Sequence, residues 1–149
     1  MNITVLCIGT LKEDYWRGAS DEYIKRLRRF CKLEIRELSE SKSDSVKEES
    51  ENLANHIPKG SYVIALDVGG KRLSSEGLAK KIASLGLEGK SHICFIIGGS
   101  NGFDDSIRKL EDLRLSFSDF TFPHQLMRVI LLEQLYRSFK INANEKYHK

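Results

Sequence analysis

The most constraining stretch of this chain runs from Leu113 to Phe139 and reads LRLSFSDFTFPHQLMRVILLEQLYRSF. It opens with alternating apolar and polar residues, which predicts a half-buried strand, and then breaks in a short polar and aromatic turn. Pro123 follows the turn and suits the first position of a helix, where its missing N–H would have no partner. The apolar residues of that helix cover most of its circumference: Leu126, Met127, Val129, Ile130, Leu131, Leu132 and Leu135. Such a helix must be covered on more than one side, and we expect a second copy of the protein to supply part of the cover.

The composition is that of an ordinary soluble protein. We expect residues 1–149 to form a single domain, because this length suffices for one hydrophobic core. Cys7, Cys31 and Cys94 are widely spaced and odd in number, which favours buried thiols over disulfides or a metal site. No apolar stretch has the length of a membrane span, and the N-terminal run MNITVLCIG is too short and lacks the basic start expected of a signal peptide. We therefore expect a cytoplasmic protein without a metal or a membrane anchor.

The charge of the chain is mildly positive, with a formal net charge of +3. This value permits a nucleic-acid partner without arguing strongly for one. Residues 121–149 carry five Lys/Arg and two His against two Glu, so part of the positive excess lies at the C-terminal end.

Strand and helix signals alternate along the chain. Continuous apolar runs at residues 3–8, 62–66 and 92–97 predict buried strands, and amphipathic segments that suit helices lie between them. This order indicates an α/β protein with a mostly parallel sheet flanked by helices.

Three unusual loops follow predicted strands, at residues 66–70 (LDVGG), 98–102 (GGSNG) and 117–122 (FSDFTF). Ligands of open α/β sheets bind outside the carboxyl ends of the strands, and glycine there lets the backbone approach a ligand. Either glycine loop taken alone is more simply a tight turn between a strand and a helix. The carboxyl edge is nevertheless where the residues point to a site.

The second loop also matches G-x-S-x-G, the nucleophile elbow of serine hydrolases, with Ser100 as the nucleophile. Asp119 with His124 or His148 would complete the order of acid and histidine that such enzymes use. The chain is short for that fold and a five-residue pattern matches often by chance, so a small serine hydrolase is the alternative hypothesis. The glycine spacing fits neither a dinucleotide fingerprint nor a P-loop.

Longer motifs lie between Leu66 and Lys149. They include IIGGSNG at residues 96–102, TFPHQLMRV at 121–129, LEQLYR at 132–137 and YHK at 147–149. With these motifs the sequence resembles the SPOUT-class methyltransferases that modify N3 of a pseudouridine in large-subunit ribosomal RNA. The PHQLxRV and EQLYR segments together are highly specific, whereas glycine-rich turns alone are not.

This resemblance implies an α/β fold with a C-terminal trefoil knot, S-adenosyl-L-methionine bound in the knotted loops, and a homodimer. The residues that it assigns to the cofactor are Leu66, Gly98, Phe117, Ser118, Asp119, Phe120, Thr121 and Phe122. Leu66 and the phenylalanines would supply apolar walls for adenine, and backbone groups of the loop would bond to its edge. Gly98 would let the chain pass close to the ribose or the methionine part.

The implied reaction is an in-line attack by N3 of a pseudouridine on the sulfonium methyl group, without a metal. Positioning supplies much of the barrier reduction, and a general base or an anion-stabilising group must deal with the N3 proton. His148 is the candidate base, and Arg137 and Tyr147 are candidate contacts to RNA or to the developing anion. His124, at the start of its helix, suits a structural role.

The expected substrate is the assembled ribosome, because so mild a charge does not predict a tight grip on naked RNA. From the apolar helix we also expect Leu131→Asp or Leu132→Asp to give inactive monomers. A third hypothesis is a non-catalytic module that binds ribosomes and retains the cofactor loops only as a scaffold.

Overall fold

The computed structural model describes the whole chain, Met1–Lys149. Its elements in chain order are β1 (Asn2–Ile8), α1 (Asp14–Leu27), β2 (Lys32–Leu38), α2 (Val46–His56), β3 (Tyr62–Arg72), α3 (Ser75–Leu87), β4 (His92–Ile97), α4 (Asp105–Arg108), β5 (Leu113–Ser116) and α5 (His124–Asn142). The strands form one sheet in the order β2-β1-β4-β3-β5, and all neighbouring pairs are parallel. The predicted α/β class with a parallel sheet is confirmed.

Side-chain caps define where several helices begin. The hydroxyl of Ser45 accepts a hydrogen bond from Glu48 N at 3.2 Å, and that of Ser74 accepts one from Gly77 N at 3.0 Å. These bonds satisfy backbone donors that a helix leaves unpaired at its start. Helix α5 differs, because it begins at His124. The prediction that Pro123 is its first residue is wrong by one position: Pro123 has an extended ψ of 136° and directly precedes the helix.

Helices cover both faces of the sheet. On one face, α1, α3 and α5 pack against Ile3, Val5 and Phe95 in the larger core, and on the other, α2 and α4 pack against Leu6 and Ile96. The central strands β1 and β4 are therefore buried on both faces, which explains their continuous apolar sequences.

Helix α5 lies between α1 and α3, and this position corrects one expectation. Leu131 and Leu132 are 0% exposed within the single chain, so the prediction that they face a second copy is wrong. The sheet and the two neighbouring helices already cover them. Among the apolar residues of α5 that remain half-exposed, Leu126, Val129 and Ile130 follow one another at helical spacing.

Strand β3 extends beyond Leu66, where the sequence predicts its end. Both Leu66 and Lys71 of β3 pair with Leu115 of β5, so the residues between them form a bulge in the strand. Gly70 is required at this bulge, because a Cβ there would come within 2.7 Å of the backbone carbon of Arg114. The bulge leaves residues 67–70 unpaired at the carboxyl edge of the sheet, with Gly70 against the backbone of β5. The trefoil knot stays a prediction from the family resemblance.

The cysteines form no disulfide: Cys7 and Cys94 are buried and Cys31 is half-buried. Burial raises the pKa of Cys7 and of Cys31 to about 11 and that of Cys94 to about 12, so all three are protonated thiols at neutral pH. None of the helices is both long enough and apolar enough to span a membrane.

Candidate active site

A cavity of about 520 Å³ opens at the carboxyl edge of the sheet. All three loops singled out in the sequence line it, together with Pro123, His124 and Met127 at the start of α5. Its size falls within the range of small-molecule sites in proteins, roughly 300–1,000 Å³. The expected location of a ligand site is thus matched by a cavity of suitable size.

Seven of the eight residues assigned to the cofactor line this cavity: Leu66, Gly98, Phe117, Ser118, Phe120, Thr121 and Phe122. Asp119 does not, because its carboxylate forms an ion pair with the guanidinium of Arg72 on the surface. The side chain of Asp119 is thus separated from the other seven.

The cavity combines apolar walls with free backbone donors. Leu66, Phe117 and Phe122 provide apolar surface, and Phe120 is 76% exposed although it is a large aromatic residue. The N–H groups of Thr121 and Phe122 have no acceptor within the chain. An aromatic heterocycle with hydrogen-bonding edges fits such a lining, because its faces need apolar contacts and its edges need partners.

Gly98 controls the shape of the second loop. A Cβ at Gly98 would lie 2.9 Å from Cε1 of Phe103 and 3.1 Å from the carbonyl oxygen of Gly102. Gly102 has a φ of +75°, in the left-handed region that favours glycine. The loop can therefore turn back on itself closely only with glycine at these two positions.

Asp67 fixes the first loop. Its Oδ1 accepts the N–H of Gly69 at 3.0 Å, and its Oδ2 accepts Nη2 of Arg108 at 2.9 Å. Burial acts to raise the pKa of Asp67, but these two donors outweigh it and hold the pKa below its usual value. The carboxylate is therefore ionised at neutral pH and ties the loop to α4. The sequence places Asp67 after a strand but gives no signal for Arg108 as its partner.

Glu49 of α2 lies beneath the second loop and is 8% exposed. A Cβ at Gly99 would collide with its carboxylate. Burial raises the pKa of Glu49, the N–H of Ser41 opposes this, and the nearby carboxylates of Asp44, Glu40 and Glu48 add to the rise. No sequence signal marks Glu49, because it lies in a highly charged helix among other glutamates.

The three candidate catalytic residues lie in mutual contact near the C-terminal tail. Nη1 of Arg137 is 3.1 Å from Nδ1 of His148, and the Arg137 guanidinium lies 4.8 Å from the centre of the Tyr147 ring. A cation over an aromatic face is attracted by the ring quadrupole. The structure thus brings together Arg137, Tyr147 and His148, which we call the tail cluster.

Two glutamates absent from the sequence-based assignment hold the tail cluster. Oε1 of Glu133 accepts Nη2 of Arg137 at 2.5 Å, Nε of Arg137 at 3.0 Å and the hydroxyl of Tyr147 at 3.1 Å. Oε1 of Glu76 lies 2.7 Å from Nε2 of His148. The spacing of Glu133 and Arg137 by four residues on a helix is a signal for the first pair, whereas nothing in the sequence links Glu76 to the tail.

The hydrogen bonds of the network indicate which tautomer His148 adopts. A guanidinium can only donate, so Nδ1 of His148 accepts from Arg137 and the ring proton lies on Nε2, which donates to Glu76. Both ring nitrogens are therefore occupied. Burial raises the pKa of Tyr147, with further contributions from Tyr23 and Glu133, so its hydroxyl stays protonated.

The tail cluster does not line the large cavity. A smaller cavity of about 200 Å³ shares Leu115, Phe117 and Phe122 with it and is also lined by Ser75 and Gln134. These last two residues precede Glu76 and follow Glu133 in the sequence, and Ser75 Oγ donates to Gln134 Oε1 at 2.8 Å. Within one chain, none of the tail cluster residues lines either cavity.

No Ser–His–acid triad is assembled around Ser100. Ser100 is exposed and forms no hydrogen bond to a histidine. The carboxylate of Asp119 pairs with Arg72, and His148 is bound to Arg137 and Glu76. The geometry on which a serine hydrolase depends is therefore absent. The structure also contains no group of three or more His, Cys, Asp or Glu side chains that could hold a metal ion.

The fold is one seen in methyltransferases of known structure. A probable methylase family protein from Haemophilus influenzae Rd KW20 aligns with 99% of this chain and 70% of its own, with a TM-score of 0.60 and 14% identity. The tRNA (m1G37) methyltransferase from Aquifex aeolicus aligns with 92% of this chain and 69% of its own, with a TM-score of 0.57 and 16% identity. At these identities the likeness establishes the fold alone.

Sequence comparison defines the family. The family described as "Predicted SPOUT methyltransferase" matches residues 1–148, and the chain therefore belongs to the SPOUT methyltransferases. Proteins called "Ribosomal RNA large subunit methyltransferase H" are similar over 100% of both chains, with 52% identity in Clostridium novyi (strain NT) and 54% in Bifidobacterium adolescentis. The resemblance noted from the PHQLxRV and EQLYR motifs is confirmed.

Proposed function

We propose that this protein transfers a methyl group from S-adenosyl-L-methionine to N3 of a pseudouridine in large-subunit ribosomal RNA. The observation that carries the proposal is the identity of more than half of the residues, over full length, to proteins called ribosomal RNA large subunit methyltransferases. The cavity at the carboxyl edge supports it, because its lining suits an adenosyl group.

Residues of the large cavity fit the cofactor part by part. Leu66, Phe117 and Phe122 would contact the faces of adenine, and the free N–H groups of Thr121 and Phe122 would bond to its edge. Gly98 leaves room for the chain to pass the ribose or the methionine part. When bound, S-adenosylmethionine supplies a methyl group on a sulfonium, which is electrophilic without any metal.

The tail cluster suits the handling of the N3 proton. Glu133 holds the guanidinium of Arg137 on two of its nitrogens, which leaves Nη1 directed at His148. An incoming pseudouridine that engages Nη1 of Arg137 would release Nδ1 of His148, whose lone pair could then accept the proton. The Arg137 charge would stabilise the anion that develops as this proton leaves.

A homodimer completes the site in this proposal. The tail cluster does not line the cavity of its own chain, so the tail cluster of a second copy must approach the methyl group. The half-exposed stripe of Leu126, Val129 and Ile130 on α5 offers an apolar surface for that contact, and it begins next to the cavity residue His124. This arrangement retains the predicted dimer and moves its interface away from Leu131 and Leu132.

The substrate in this proposal is the assembled large subunit or ribosome in the cytoplasm. A test uses ribosomes from a strain that lacks this methyltransferase, incubated with the protein and isotope-labelled S-adenosylmethionine. Nucleoside mass spectrometry should find the label on N3 of a pseudouridine, and bare ribosomal RNA should accept much less. Wild type and Ser100→Ala should act alike, whereas His148→Ala should not; absence of label from ribosomes and from bare RNA alike would contradict the proposal.

A further inference from the structure

The positive charge of this chain is segregated into two segments. Residues 25–32 carry five Lys/Arg and no Asp/Glu, and residues 137–149 carry four Lys/Arg and one Glu. The rest of the chain therefore holds 15 Lys/Arg against 20 Asp/Glu and is net negative. The overall charge of +3 conceals this separation, so it understates the attraction that one side of the molecule exerts on an anion.

The fold joins the two segments into one surface. Glu145 in the tail accepts Nη2 of Arg29 at 2.6 Å and also pairs with Lys140 of α5. Next to this bridge the ring of Phe30 stacks on that of Phe139, with 5.7 Å between centres and 8° between planes. The end of α1 is thus fixed against the end of α5 and the tail.

Three cations of this surface have no acidic partner. Lys25, Arg28 and Lys32 are exposed, and none of them forms an ion pair. Arg26 is held differently, with its guanidinium 5.5 Å from the ring centre of Tyr23 and 5.6 Å from that of Tyr136. Cations near a helix C terminus interact favourably with the helix dipole. This effect fades beyond the last turn, so it does not account for Lys32 on β2.

The adjoining residues lead from these cations to the tail cluster. Tyr136, which contacts Arg26, packs edge-on against Tyr147 with 4.8 Å between ring centres. Tyr147 in turn lies under Arg137. An anionic strand on the three free cations would therefore run towards the residues proposed to meet the target base.

We propose that residues 25–32 form a docking surface for the phosphodiester backbone of RNA, and that it guides ribosomal RNA to the tail cluster. The inference rests on the proposed function and adds the contact that delivers its substrate. An acidic membrane would also attract these charges, but interfacial membrane binding requires an apolar face as well. The large exposed apolar side chains, Tyr15, Val68, Leu87, Leu110 and Phe120, all lie outside both segments.

The test compares two variants that each remove three positive charges. The surface variant carries Lys25→Gln, Arg28→Gln and Lys32→Gln. The control carries Lys42→Gln, Lys59→Gln and Lys109→Gln, which are exposed, unpaired and associated with α2 and α4 on the other face of the sheet. Equal melting temperatures would verify that both fold, and Arg28→Gln alone serves as a milder variant.

Binding of a fluorescent 20-nucleotide uridine RNA is measured between 50 and 200 mM KCl, and methyl transfer to ribosomes is measured in parallel. The slope of log Kd against log salt should fall by about two in the surface variant. Each lost phosphate contact to a single strand lowers this slope by about 0.7, and the variant loses three such contacts. The KM for ribosomes should rise, while kcat and the affinity for S-adenosylmethionine stay at wild-type values. The control should behave as wild type does in both assays.

Equal RNA binding by the two triple variants would overturn the inference. Binding to vesicles with 30% phosphatidylserine is measured as well. A surface variant that keeps its RNA binding but loses vesicle binding would also overturn the inference, because the surface would then serve a membrane. If wild type methylates no ribosomal RNA but the surface variant still loses RNA binding, the proposed function fails and the docking surface stands.

Discussion

The guanidinium of Arg128 donates from Nη1 to Oε2 of Glu37 at 2.9 Å and from Nη2 to the carbonyl oxygen of Gly9 at 3.0 Å. Arg128 is 4% exposed, so one buried cation ties α5 to the carboxyl ends of both β1 and β2. The PHQLxRV motif thus contains a residue with a structural role as well as residues next to the cavity.

Arg128→Met should destabilise the protein by about 2 kcal/mol, because it leaves the Gly9 carbonyl and the Glu37 carboxylate without their donor. Glu37 is partly exposed and regains some hydration, which keeps the loss below that of a fully buried pair. Chemical denaturation and a fall in melting temperature of about 4–8 °C would measure it. Arg72→Met, which breaks an exposed pair with Asp119, is the control and should cost about 0–1 kcal/mol. Equal losses in the two variants would contradict this role for Arg128.

Glu133→Gln should lower kcat by about 10–100-fold, since a displacement of about 1 Å in a positioned group has effects of that size. The neutral amide would hold Arg137 and the Tyr147 hydroxyl less firmly, while the affinity for S-adenosylmethionine should not change. Single-turnover methyl transfer and calorimetric titration measure the two quantities separately. Glu51→Gln, an exposed change on α2, is the matched control. A Glu133→Gln enzyme with full kcat would show that Glu133 does not position the tail cluster.

Val129→Asp should give a folded monomer without activity. Val129 lies on the half-exposed stripe of α5, so a carboxylate there can be hydrated once the partner dissociates. Leu131→Asp, by contrast, places a charge at a position that is 0% exposed and should prevent folding. Sedimentation and circular dichroism distinguish the two outcomes. An active Val129→Asp monomer would refute a site shared between two copies.

Gly98→Ala should weaken binding of S-adenosylmethionine by about tenfold or more, which corresponds to about 1.4 kcal/mol. The added Cβ would meet Phe103 and the Gly102 carbonyl, so the second loop must move away from its present path. Gly69→Ala is the control, because a Cβ there lies 3.7 Å from Asp67, an ordinary contact. Calorimetric titration of both variants measures the difference, and equal affinities would contradict the proposed cavity.

Glu49→Gln should stabilise the protein at neutral pH and lose this advantage in acid. The raised pKa means that the folded state binds the proton of Glu49 more readily than the unfolded chain does. The stability contributed by protonated Glu49 is therefore lost as the pH rises through its pKa in the folded state. At pH 7 the wild type consequently carries a buried negative charge that destabilises it. Melting temperatures should differ at pH 7 and converge below pH 4.5, the ordinary pKa of Glu. Curves that stay parallel across this range would exclude the explanation.

The sequence predicts the sheet well because its central strands are apolar on both faces and its loops carry distinctive glycines. It predicts less about α5, since a helix that is apolar all round looks the same whether α1, α3 or a second copy covers it. For that reason the sequence alone suggests that Leu131 and Leu132 contact a partner, although they lie in the core of the single chain.

The partners of the site residues are the part that sequence could not supply. Glu76 meets His148 across 72 residues, and Arg108 meets Asp67 across 41, so neither pairing leaves a local pattern. The family resemblance implies the eight residues assigned to the cofactor. Such a motif specifies positions in the chain and does not specify which way each side chain points. This is why the side chain of Asp119 could lie outside the cavity.

The position of β1 in the sheet has a consequence for biosynthesis. β1 pairs on one side with β2 and on the other with β4, where Asn2 is matched to His92. At about 5–20 residues per second, translation needs roughly 4–17 s to proceed from the end of β1 at Ile8 to the start of β4 at His92. During that interval β1, which is almost wholly buried in the folded protein, has an open hydrogen-bonding edge, the kind of edge that pairs with other chains. The nascent polypeptide is therefore most vulnerable to aggregation before His92 has been added.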